Sequence, residues 1–103
     1  MNEPLFVESA QALALKTLDE GGATDSARLN YAMRRVLARK PSDAEARELL
    51  GLLEKEQAHF SDGAHNPAEF APAVPRNATA AQTAAWTAVA RVLLNLDETF
   101  TKE

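Results

Sequence analysis

The chain contains no cysteine. That excludes a disulfide, a thiolate metal site, a cysteine nucleophile and a covalently attached c-type haem within it. Glycine is scarce, at four of 103 residues, and Ile and Val are very few outside one segment, so material for strands is short. No apolar run approaches the roughly 18 residues of a membrane-spanning helix, and the N-terminal residues carry neither the basic patch nor the apolar stretch of a signal peptide. Read by itself, the chain is expected to stay in the cytoplasm. A net charge of -4 with a pI near 5.2 argues against non-specific attachment to nucleic acid or to an anionic membrane surface.

What is present is the composition of a folding domain. Apolar residues make up 46% and charged residues 25%, which is too apolar and too evenly charged for disorder. The length suits one core. Ala and Leu dominate, and both favour helix. The predicted class is all-α: a four-helix bundle-like single domain over residues 1–103, with a long loop before the last helix.

Spacing places the helices. Phe6, Ala10, Leu13, Ala14 and Leu18 recur at intervals of three and four, which predicts a helix over about 3–19, with Asn2 as its cap and Gly21-Gly22 as its stop. Leu29, Ala32, Met33, Val36 and Leu37 predict a second helix over about 26–39, ending before Pro41 with Arg39 and Lys40 in its last turn. Ser42-Asp43-Ala44-Glu45 has the form of a capping box, so a third helix is predicted over about 43–60, with Ala46, Leu49, Leu50, Leu53, Gln57 and Phe60 inward and Gly51 on the far side. Residues 61–77 hold three of the five prolines and no period, and read as a loop that Phe70 and Val74 could pin to the core. A fourth helix, capped by Asn77, is predicted over about 78–96, with Ala85, Trp86, Val89, Val92, Leu93 and Leu96 inward and Trp86 as the anchor of the core.

Site chemistry is thin. Five of the eleven cations fall at Arg28, Arg34, Arg35, Arg39 and Lys40, but the acids of the next helix, Asp43, Glu45, Glu48, Glu54 and Glu56, are expected to neutralise them, so no nucleic-acid partner is assigned. His59 and His65 lack the one-turn spacing of zinc ligands, even with Glu56, Asp62 and Glu69 nearby, so no metal or other cofactor is expected. Ser9, Ser26, Ser42 and Ser61 have no nucleophile-elbow setting, and the Asp97 and Glu98 pair ends a helix near the terminus, where it is expected to stay solvated. Asn77-Ala78-Thr79 matches a glycosylation sequon, but the pattern is short and Asn77 is already assigned as a cap. The chain is therefore expected to be non-catalytic, with no small-molecule substrate and no membrane insertion.

Two resemblances add to this. The stretch Tyr31-Ala-Met-Arg-Arg-Val-Leu-Ala-Arg-Lys-Pro41-Ser-Asp-Ala-Glu-Ala-Arg-Glu-Leu-Leu50 resembles the junction between tetratricopeptide repeats, although no second copy follows about 34 residues away. Such a likeness implies an adaptor that binds a peptide or partner protein between its first two helices, with Asn30 and Tyr31 lining the groove.

Three further segments, Asn2-Glu-Pro-Leu-Phe-Val-Glu-Ser-Ala10, Arg28-Leu-Asn-Tyr-Ala-Met-Arg-Arg-Val-Leu-Ala-Arg39 and Ala85-Trp-Thr-Ala-Val-Ala-Arg-Val-Leu-Leu-Asn-Leu-Asp-Glu98, together resemble the C-terminal domain of unknown function of planctomycete-type cytochrome c multidomain proteins. That resemblance implies the terminal part of a larger, extracytoplasmic protein whose haem-binding portion lies elsewhere. It carries no reaction. It implies a structural or interaction role, packing against the upstream region of a parent protein or against a second copy, with Leu5, Val7 and Leu15 forming an apolar contact patch.

Overall fold

A computed structural model of the chain describes residues 4–61 and 78–101, with side chains described as far as Asp97. The expected cap Asn2, the loop residues from Asp62 to Asn77 with Phe70 and Val74, the second histidine His65, and the side chain of Glu98 lie outside the described residues.

Four helices follow one another: α1 (Pro4–Glu20), α2 (Asp25–Leu37), α3 (Asp43–Ser61) and α4 (Ala80–Thr101). Their ends follow local chemistry. Pro4 opens α1, where its missing N–H would have been unpaired anyway. The helix stops because Gly22 takes a φ of 104°, open to glycine alone at little cost. Gly21 is needed for a second reason: a Cβ there would sit 2.5 Å from the Thr17 carbonyl oxygen and 3.0 Å from the Arg28 Cα. Thr24 then caps α2, its hydroxyl accepting from the Ala27 N–H at 3.1 Å.

The other connection is built differently. α2 ends at Leu37, two residues before the predicted end, because Ala38 adopts left-handed angles (φ 58°, ψ 28°) while its N–H still bonds the Arg34 carbonyl at 3.0 Å. Left-handed backbone costs an alanine roughly 1–2 kcal/mol. Arg39 therefore leaves the helix instead of sitting in its last turn, and its guanidinium grips Glu45 through two hydrogen bonds of 2.7 and 2.8 Å. Glu45 also accepts from the Ser42 N–H at 2.9 Å while the Ser42 hydroxyl accepts from the Glu45 N–H at 3.1 Å, which is the capping box read from the sequence. A second box starts α4: Thr79 and Gln82 exchange bonds of 2.9 and 3.0 Å, so the helix begins at Ala80 and its cap is Thr79, not Asn77.

α4 is the axis of the bundle and packs against each of the other three helices. Its sequence explains why. From Ala78 to Ala90 there is no charge, and Ala, Thr, Val and Trp occupy every side of the helix. Thr83, Ala84, Ala85, Trp86 and Thr87 are all buried, five residues in succession and so more than a full turn. Trp86, 1% exposed, stands in one cluster with Ala14 and Leu18 of α1, Leu29, Ala32 and Met33 of α2, and Leu49 and Leu53 of α3. The buried threonines are accommodated by bonding back along the helix, Thr83 to the Thr79 carbonyl at 2.9 Å and Thr87 to the Thr83 carbonyl at 2.8 Å. Thr17 Oγ1 and Trp86 Nε1 are buried without a hydrogen-bond partner among the described residues, a cost of about 1–3 kcal/mol each that the surrounding apolar packing outweighs. The described residues therefore form an all-α, four-helix bundle-like fold with no strand.

Candidate functional site

Beyond Leu93, α4 passes beside the middle of α1 and the last turn of α2, and the three helices leave an open groove of about 410 Å3. Ser9, Ala12, Leu13 and Lys16 line it from α1, Arg35 and Val36 from α2, and Leu94 and Asp97 from α4. Small residues at Ser9 and Ala12 create the space. Leu13, Val36 and Leu94 form the floor, where they close a minor cluster with Ala10 and Ala90. Cations stand on the α1 and α2 rims and a carboxylate on the α4 rim.

Leu5, 69% exposed, is the large hydrophobic side chain most open to solvent among the described residues. It lies at i relative to Ser9, Ala12 and Lys16 at i+4, i+7 and i+11, so these four share one exposed stripe of the helix, with buried Leu13 about 80° to one side of it. That face spans about 16 Å from Leu5 to Lys16. Val7 and Leu15, assigned with Leu5 to a contact patch, are half-buried and lie about 160° and 80° around the helix from it, on the side opposite to Leu13 and the groove. Leu5 is thus grouped by the helix with the groove residues rather than with Val7 and Leu15.

At the Lys16 end the surface is polar and organised around Glu20. The Tyr31 hydroxyl donates to Glu20 Oε1 at 2.9 Å, and Lys16 stands 3.5 Å from Glu20 Oε2. The Tyr31 bond, then Lys16, lowers the Glu20 pKa; burial, then the same bond, raises that of Tyr31. Arg35 lies over the Tyr31 ring, 6.0 Å from its centroid. Asn30 and Tyr31 are half-buried and neither lines the groove, which takes Arg35 and Val36 from α2 instead. The Tyr31 hydroxyl is engaged by Glu20 instead.

The remaining sequence candidates are dispersed. Ser42 is spent on its cap, Ser9 lines the groove, and Ser26 and Ser61 are exposed. His59 is exposed at the end of α3, its ring edge-on to Phe60 at 5.6 Å. Among the described residues no three His, Asp or Glu side chains gather as a metal site, and no helix is long and apolar enough to cross a membrane. Arg28, read as part of a basic run, is instead mostly buried: its Nε donates to the Gly22 carbonyl at 3.2 Å and Nη1 stands 3.5 Å from Asp25, tying the α1–α2 turn. Comparison with known proteins returned no matching family model, no matching curated protein and no matching solved structure.

Proposed function

We propose that this chain is a non-catalytic interaction domain whose contact surface is the groove between α1, α2 and α4. One observation carries the reading: an apolar floor left open beside a full core, continuous on one helical face with the exposed Leu5. The three segments that resemble planctomycete-type cytochrome c multidomain proteins support a setting in which the domain is the terminal part of such a protein and packs against its upstream region. The tetratricopeptide-like reading uses a groove between the same first two helices and differs in the occupant, a segment of a separate partner.

The test is to block the groove and leave the fold alone. Ala12→Trp fills it, whereas Gly51→Trp adds the same ring on α3, where a Cβ meets nothing within 4 Å. Binding to the separately produced haem-bearing portion of a parent protein, followed by calorimetry, is expected to be lost in the first variant and kept in the second. Equal binding by both, with unfolding midpoints unchanged, would remove the groove from the account.

A further inference from the structure

The charges around the groove describe what enters it, an inference that rests on the interaction reading above. Between Arg34 and Lys40 there are four cations in seven residues. The α3 acids were expected to neutralise them. Among the described residues the ion pair between this run and α3 is that of Arg39 with Glu45. Arg34, Arg35 and Lys40 are exposed, and Arg35 is also a lining residue of the groove, opposite Lys16. The Lys16–Glu20 pair that adjoins them is a long surface contact of 3.5 Å with both side chains about half exposed, the kind that contributes little and is exchanged readily. Asp97 stands on the α4 rim, so the groove has a polarity: positive on the α1 and α2 side, negative on the α4 side.

We propose that the occupant is an amphipathic helical segment that seats apolar side chains on Leu13, Val36 and Leu94 and directs carboxylates to Lys16 and Arg35. The length agrees. A face of about 16 Å from Leu5 to Lys16 matches roughly three turns of helix, enough for apolar anchors at i, i+4 and i+7. The apolar floor selects a protein segment over nucleic acid or a lipid surface, which the cations alone would serve equally well. Steering by Arg34, Arg35 and Lys40 makes association fast and salt-dependent.

Two synthetic helices of about three turns test this, with the same leucine stripe and either glutamates or lysines along the flank. Each is titrated into the isotopically labelled full chain at low and high salt. The glutamate helix is expected to bind, to shift the amides of Ala12, Leu13, Val36 and Leu94, and to weaken about tenfold with Arg35→Glu and with Lys16→Glu, while the lysine helix gains on the same variants. Equal binding of both helices at the groove would overturn the acidic occupant and leave the interaction reading standing. Shifts on the outer face of α3, or binding by neither helix, would overturn both. Anionic vesicles or an RNA oligonucleotide binding through Arg34 and Lys40, indifferent to Leu94→Ala, would show a surface of a different kind and overturn the proposal.

Discussion

Trp86 and Leu94 stand on the same helix, eight residues apart, in opposite situations. Around Trp86 the helix is enclosed through a full turn, by α1, α2 and α3 together. Around Leu94 it is only half covered, and the space beside it is the groove. The local composition changes in step: the charge-free stretch ends at Ala90, and Arg91, Asn95 and Asp97 follow. The difference teaches that α4 performs two tasks in series, filling the core with its first half and walling an open surface with its second.

The comparison is broken most forcefully at its closed end. Trp86→Ala is expected to cost about 3–5 kcal/mol in urea unfolding, since it removes the largest side chain of the core and leaves a cavity among α1, α2 and α3. A loss under about 1 kcal/mol would mean that the ring is not where the packing converges. Gly21→Ala is expected next, at roughly 1–3 kcal/mol, because the added methyl group collides with backbone on both sides of the α1–α2 turn.

The open end should respond less. Leu94→Ala is expected to cost only about 1 kcal/mol, the share of a half-buried leucine. If its cost equals that of Trp86→Ala, the groove is part of the core and the comparison collapses. The smallest effect belongs to the α2–α3 clamp. Arg39, then the Ser42 N–H, hold the Glu45 carboxyl down to about 2. Its folded value is lower than its unfolded value, so this stabilisation is complete above the ordinary glutamate range, near pH 4.3, and is lost as pH falls toward about 2. Screening at this exposed site limits it to under about 1 kcal/mol. Glu45→Gln is therefore expected to flatten that part of the acid stability profile by lowering neutral stability by that small amount, while stability near pH 2 stays unchanged.

Much of this fold was legible because helix period and end chemistry are local. The Ser42–Glu45 box, the glycine stop after α1 and the burial of Trp86 followed from residues within a turn or two of one another. The misses have physical causes. Ala38 terminates α2 without a glycine, so the period carried the predicted helix on to Arg39. Thr17, Thr83 and Thr87 were not among the residues expected inward, yet all three are buried, and the hydroxyls of Thr83 and Thr87 turn back to carbonyls four residues earlier and need no water. The signal was available in Thr79, Thr83 and Thr87, spaced four apart in a stretch with no charge. The groove was legible only in part. Periodicity placed α1 and α2, and the repeat-like resemblance implied a groove between them, but Leu94 and Asp97 come from a helix more than fifty residues away, and their placement depends on how α4 packs.

The central claim is that the core is complete without whatever occupies the groove. Thermal unfolding of the chain by circular dichroism, with its solution mass measured on the same samples across a range of concentrations, tests this most directly. A sharp transition from a monomer, independent of concentration, is the expected result and leaves the groove as surface available for a partner. A broad transition, or one that sharpens and rises as the chain is concentrated, would contradict it, showing that contacts across the groove are required for the fold itself.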